Sequence, residues 1–305
     1  MTFISYAQNY EDVMLNRVFK DIDNGFYIDV GAWSPVLDSV TNAFYQKGWN
    51  GINIEPNIKF VSEFSQVRQR DINLCICIGE QEKSTEMYFL RGDGSGMSTL
   101  RSDLAHERLS EGWELDIDNI LMKPLSLIWS EHVPKSQAVH FLKIDVEGAE
   151  KSVLLSMDWV SVSNRPWIIL IESTMPMSQV EVHQEWEYLL LQSGYIFAYA
   201  DGLNRFYIDS SKSNLLDFFK YPPNVFDDFI SAPFRLAQDH LRDQEQRLQE
   251  VKTLQERAEY KIRILENEIV SKNNTISSMH NSRSWKITRP LRFLADNFKK
   301  IGKYK

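Results

Sequence analysis

Apolar residues at Tyr6, Tyr10, Val13, Met14 and Val18 recur near helical spacing and predict an amphipathic helix over residues 6–19. The next run, Phe26 to Val30, is apolar except for Asp29 and stops at Gly31, the pattern of a buried parallel strand entering a turn. A helix over 39–47, ended by Gly48, leads to a second short strand that closes on Glu55 and Pro56. Pro56 has no N–H with which to extend a ladder, so the strand ends there. A helix over 58–69 and a strand over 72–78 continue the alternation, which predicts a doubly wound, mostly parallel α/β sheet.

Between residues 80 and 138 the pattern becomes irregular, with a strand over 87–90, a glycine-rich turn over 92–96 and mixed polar sequence after it. This reads as an insertion over the carboxyl edge of the sheet, where long loops carry function. The alternation resumes with a strand over 140–145, a helix over 149–155, a strand over 167–172 and a helix over 182–192. Strands over 195–199 and 205–208 then close the sheet around Asp201, Gly202 and Asn204. Past Asp209 the period changes. Leu241, Leu248, Gln255, Ile262, Ile269 and Ile276 stand seven apart, with Val251, Ala258 and Leu265 three residues later, so a coiled coil is expected. The domains expected are a body over 1–210, a linker over 211–234, a coiled coil over 235–280 and a basic tail over 281–305.

Composition changes this picture little. A chain of 305 residues with 43% hydrophobic and 25% charged residues suits one α/β core with an extension rather than a disordered polymer. The formal net charge of −8 argues against nucleic acid as a partner, because phosphate binding needs a positive field. From Arg283 onward, however, eight Lys or Arg residues stand against one acid, Asp296. Cys75 and Cys77, two apart on one expected strand, point the same way and read as buried small hydrophobes rather than a disulfide. Residues 1–9 lack the basic and apolar regions of a signal peptide, and no apolar run reaches spanning length, so a cytoplasmic protein is expected.

In a doubly wound sheet, ligands bind outside the carboxyl ends of the strands. Asp29, Glu55, Asp145 and Glu172 all end expected strands, which is more than helix capping alone explains. Glu55 lies a little over twenty residues past Gly31, the offset at which an acid accepts hydrogen bonds from the ribose hydroxyls of a nucleoside cofactor. The first turn, Gly31-Ala32-Trp33-Ser34-Pro35, is not the G-x-G-x-x-G form that a diphosphate needs, and Trp33 and Pro35 crowd its place. S-adenosylmethionine carries no phosphate and has a cationic sulfonium and amino group, so it is compatible with such a turn.

Several segments resemble the FkbM family of methyltransferases: Ser5 to Asp12, Phe26 to Ala32, Gly48 to Pro56, Ser98 to Leu100 and Phe141 to Glu150. The resemblance covers roughly residues 5–209, and its specificity lies in the order and spacing of the pieces. It implies a class I Rossmann-like fold, S-adenosylmethionine as donor and a hydroxyl oxygen as usual acceptor. Asp29, Gly31, Ala32, Glu55 and Pro56 are then the expected cofactor contacts, with Gln8 and Asp12 closing over them. Asp145 is the expected base, with Glu147 as its partner or substitute, and Ser98 and Glu172 are assigned to the acceptor side. Asp145, Glu147 and Glu172 have the oxygen donors that magnesium takes, but the expected site contains no metal. The six histidines show no ligand spacing; His106 and His140 read as structural.

The segment Ser282 to Arg292 is similar to tails of bacterial polysaccharide-assembly proteins. Leu291, Leu294, Phe298 and Ile301 share a helical face, with Arg292, Lys299 and Lys303 elsewhere, as in a helix lying on an anionic membrane. Together these features point to methylation of a sugar or glycan hydroxyl in bacterial surface-polysaccharide synthesis. Homo-oligomerisation through the coiled coil and peripheral contact at the inner membrane face are also expected. The alternatives are an NAD- or nucleotide-sugar-using Rossmann enzyme, disfavoured by the missing glycine fingerprint, and a membrane-associated scaffold with an inert body.

Overall fold

The computed structural model describes residues 2–301, excluding the side chains of Asp93 and of residues 296–301. It divides into two units, Met1–Arg235 and Leu236–Lys305.

The first unit opens with β1 (Phe3–Ser5), α1 (Glu11–Phe19), β2 (Phe26–Val30), α2 (Asn42–Gln46), β3 (Asn50–Ile54), α3 (Ile58–Val67) and β4 (Ile72–Leu74). The opening helix is shorter than its periodicity predicts, because the Asp12 carboxylate accepts from the Ser5 hydroxyl and the backbone N–H groups of Tyr6 and Ala7. Those bonds tie Tyr6 and Ala7 into a loop between β1 and the helix. The expected strand over 72–78 also divides: β4 belongs to the main sheet, whereas β5 (Cys77–Ile78) joins a smaller one. Cys75 and Cys77 therefore do not share a strand face. Both are free thiols, the first half-buried and the second buried.

The insertion is more regular than expected. It contains β6 (Lys83–Leu90), α4 (Ser102–Ser110), β7 (Leu115–Lys123) and α5 (Leu125–His132), with a 3-10 segment at Gly92–Met97. β7 pairs antiparallel with all of β6 and parallel with β5, forming a three-stranded sheet. Strand β8 (Phe141–Ile144), α6 (Glu150–Leu155), β9 (Ile168–Glu172), α7 (Glu187–Gln192), β10 (Tyr195–Ala200) and β11 (Asn204–Asp209) complete the body. Of the helix expected over 182–192, the first part is a 3-10 turn at His183–Glu185.

The main sheet has the order β10-β11-β9-β8-β2-β3-β4, with only β11 antiparallel to its neighbours. The expected doubly wound α/β architecture is thus present, and it is consistent with a methyltransferase fold. Alternation along the strands divides the core between the two faces. Ile28, Leu142, Ile144 and Ile169 pack with Leu125, Ile128 and Val153 on one side. Tyr27, Phe141 and Leu170 pack with Leu15, Phe19 and Phe44 on the other.

Residues 211–234, expected as a linker, are structured. A 3-10 segment at Ser210–Phe219 buries Leu215 and Phe219, and β12 (Phe229–Ser231) pairs parallel with β1. Arg17 fastens this stretch by donating to Asp227 and to the carbonyls of Phe218, Tyr221 and Pro222. The helix α8 (Ala232–Asn281) follows. In the second unit its heptad residues Leu248, Ile262, Ile269 and Ile276 are 51–58% exposed. Ser282 caps α9 (Arg283–Ile287), and α10 (Arg289–Ile301) ends the described chain. Leu291 and Leu294 are exposed, and Arg292 lies over the Trp285 ring. The side chains of Phe298, Lys299 and Ile301, and all of Lys303, lie outside the described residues.

Candidate active site

The strand order reverses between β2 and β8, and a cleft opens there at the carboxyl ends of β2, β3 and β8. Its floor consists of Gly31, Ala32 and Trp33 after β2, Glu55 and Pro56 after β3, and Asp145, Val146 and Glu147 after β8. Cys77, Ile78 and Met87 of the small sheet form one wall, and Ser95 to Ser98 and Gln8 complete the lining.

The first turn is set by close approach. Gly31 has φ +81°, and a Cβ there would stand 1.7 Å from the Asp145 carbonyl oxygen, so the β2 and β8 turns meet only because the side chain is absent. The backbone N–H groups of Gly31 and Ala32 both donate to the Ile54 carbonyl. Trp33 also has positive φ, and its N–H donates to Glu55 Oε2 at 2.9 Å. Glu55 Oε1 accepts from the N–H of Asn57 at 2.8 Å. Burial pushes the Glu55 carboxyl up to about 7, against the lowering effect of these N–H groups and of Lys143. Each Glu55 oxygen retains lone-pair capacity for a further donor.

Behind this turn lies Arg68, which is 1% exposed. Its guanidinium donates to the Pro35 carbonyl and to the hydroxyls of Ser39 and Thr41, with Phe64 beneath it. No reading of the sequence singled it out, because a lone arginine near the end of a helix carries no pattern.

Lys143 was missed as well. It lines the cleft, and its Nζ stands 3.1 Å from Asp145 Oδ2, 3.3 Å from the Gly31 carbonyl oxygen and 3.5 Å from Asp29 Oδ1. Burial alone would lower its pKa, but the carboxylates of Asp145 and Asp29 outweigh burial and raise it, so the ammonium stays charged. A lysine within an apolar strand was the available signal, since it needs a buried acid nearby.

Three expected contacts are placed differently. Asp29 is 1% exposed and lies behind the cleft wall, paired with Lys143 and accepting from the Thr41 hydroxyl, because it faces the α1 and α2 side of the sheet. Asp12 is fully buried and committed to the loop before α1, which leaves Gln8 as the residue of that loop lining the cleft. Glu172 is buried beside the cleft rather than in its lining, with oxygens converging on Asp145 and Glu147.

Ser98 lines the cleft, though its hydroxyl donates to the Ser95 carbonyl and accepts from the N–H of Leu90. Glu147 and Gly148 follow β8 with φ +52° and +94°, and the Thr99 hydroxyl donates to the Glu147 carbonyl at 2.8 Å. Burial, then Asp145 and Glu150, push the Glu147 carboxyl up to about 8. His140 stands at the start of β8, away from the cleft, where its Nδ1 accepts from the N–H of Phe26 and burial lowers its pKa to about 4.

A doubly wound sheet with an acid-lined cleft at its switch point defines a Rossmann-like α/β protein. The methyltransferase FkbM domain matches residues 29–197, more than half of the chain, and the chain belongs to that family. No curated protein matches it.

Proposed function

We propose that this protein is an S-adenosylmethionine-dependent O-methyltransferase acting on a sugar or glycan hydroxyl. The observation that carries the reading is the acid-rich lining of the cleft. Glu55, Asp145, Glu147 and Asp38 line it, whereas Lys143 is its sole cationic lining residue among the described residues. A cationic nucleoside is favoured there, and a diphosphate is opposed both by this field and by Trp33 where a glycine-rich turn would stand. The donor set fits: Glu55 has carboxylate lone pairs for two ribose hydroxyls, and Gly31 and Ala32 offer an open floor for the amino-acid moiety.

When bound, S-adenosylmethionine supplies an electrophilic methyl group on a positive sulfur. The protein's share is to align the acceptor oxygen with that carbon and to remove the hydroxyl proton. Asp145 and Glu147 line the cleft and are the carboxylates that would take the proton. Lys143, ion-paired with Asp145 at 3.1 Å, fixes that carboxylate at the cleft wall. Gln8 and Ser98 line the same cleft and are the residues offered to the acceptor.

The polysaccharide assignment is supported by the second unit. The exposed heptad face of α8 suits homo-oligomerisation, and the basic segment after Arg283 suits peripheral contact with an anionic inner membrane face. No helix among the described residues is long and apolar enough to cross a membrane.

Calorimetric titration of the chain with S-adenosylhomocysteine, with NAD as control, tests the cofactor. Two charge-assisted hydrogen bonds of about 1.5–3 kcal/mol each predict that Glu55→Ala weakens binding by more than about 100-fold. Tight NAD binding, or S-adenosylhomocysteine binding unchanged by the substitution, would refute the reading.

A further inference from the structure

Beside the cleft, Asp145, Glu147 and Glu172 bring one carboxylate oxygen each within 4.8 Å of one another. Asp145 and Glu147 are half-buried and open to the cleft. Glu172 enters from the neighbouring strand β9, is only 9% exposed, and has an Oε2 atom with neither solvent nor a hydrogen-bond partner. Glu147 Oε2 is unpartnered in the same way.

The surrounding cations do not account for this arrangement. Lys143 touches one member, Asp145, and is shared with Asp29 and the Gly31 carbonyl. Arg108 is committed to Glu111 and the Pro176 carbonyl. Glu172 lies within side-chain hydrogen-bond reach of Asp145, and one oxygen each of Glu147 and Glu172 stays buried and unpartnered beside them, an arrangement that needs a shared proton or an added cation.

We propose that Asp145, Glu147 and Glu172 form a site for one hard divalent cation of the Mg²⁺ or Mn²⁺ type, at the acceptor end of the cleft. Three carboxylates and no nitrogen or sulfur donor are the ligand set such ions select. Octahedral bonds of about 2.1 Å place ligand oxygens roughly 3–4 Å apart, which separations within 4.8 Å accommodate. Coordination positions left to water suit an acceptor with neighbouring hydroxyls, whose O–H the ion would acidify. The role in methyl transfer rests on the function proposed above; the ion site itself does not.

The test uses the full chain, stripped with chelator and titrated with Mn²⁺ by calorimetry and electron paramagnetic resonance, then separately with S-adenosylhomocysteine. One Mn²⁺ per chain is expected, weakened more than about 100-fold by Glu172→Gln, beyond the roughly 10–100-fold that outer-shell substitutions cause. Should that variant fail to fold by circular dichroism, Glu147→Gln at the cleft surface serves instead and is expected to show the same loss. Absence of Mn²⁺ binding at millimolar concentration overturns the site and leaves a proton shared among the carboxyls. Binding unaffected by the substitution also overturns it. Mn²⁺ binding without S-adenosylhomocysteine binding would retain the site and refute the cofactor reading, while the converse would do the opposite.

Discussion

Replacing Lys143 with methionine removes a charge from the cleft wall while keeping an unbranched stem of similar length. Lys143 is 8% exposed, and its ammonium stands 3.1 Å from Asp145 and 3.5 Å from Asp29. At an effective dielectric constant near 20, each contact is worth roughly 5 kcal/mol of gross attraction, much of which offsets the desolvation of the ammonium. The measurable quantity is the cost of leaving the carboxylates without their cation, about 3–5 kcal/mol for a fully buried pair. Asp145 reaches the cleft and recovers some hydration, so Lys143→Met is expected to destabilise by about 3 kcal/mol. Because the folded state raises the lysine pKa, its stabilisation is complete below the ordinary lysine value and is lost only as pH rises through the higher folded value. The deficit should therefore be constant across neutral pH. Urea unfolding followed through the buried Trp49 and Trp186 measures it. Adding Asp29→Asn to the variant should restore at least half of the loss, since the acid that had lost its partner is neutralised. A single variant within about 1 kcal/mol of wild type, or a double variant no more stable than the single one, would show that Lys143 is not the counter-ion of Asp29.

Gly31→Ala should cost at least about 3 kcal/mol and abolish cofactor binding, because it adds left-handed strain to a Cβ contact of 1.7 Å with the Asp145 carbonyl. At Gly92, where φ is also positive but nothing lies within 4 Å, alanine should cost only about 1 kcal/mol by thermal denaturation; equal costs would refute the close-approach argument. Glu11 is pushed up to about 7, chiefly by burial, so its ionisation destabilises the fold progressively as pH rises from the ordinary glutamate range through that value. Glu11→Gln should remove about 2–4 kcal/mol of the stability difference between pH 5 and pH 8 in urea titrations, and an unchanged difference would assign it to other groups. Sedimentation of the full chain should show an oligomer that dissociates when Ile262 and Ile269 are both changed to asparagine; a monomeric wild type would refute the coiled-coil reading.

The alternation of short apolar strands with helices is local information, and it sufficed for the doubly wound sheet from Phe26 to Glu172. Gly31, Glu55, Asp145 and Glu147 were legible for the same reason: in a parallel sheet, the residues after each strand arrive at one edge regardless of how the helices pack. The insertion was harder to read. Its strand Leu115–Lys123 is largely polar because one face meets solvent, and its pairing with Lys83–Leu90 is a long-range choice. The division of residues 72–78 between two sheets likewise depends on which partner edge is available, not on propensity.

From the sequence alone follow the order of strands and helices, the acid-rich carboxyl edge, the absence of a phosphate-binding turn, the heptads and the basic tail. Only the tertiary structure decided which acids face the cleft and which stand behind it. Asp29 and Lys143 are cross-strand partners in β2 and β8, and their shared register turns both toward the α1 and α2 face, pairing them at the cleft wall. The approach of Glu172 to Asp145 and Glu147 is of the same kind. Side-chain direction follows from strand alternation, but whether two directed side chains meet depends on register and on the turn after each strand, which contacts distant in sequence set.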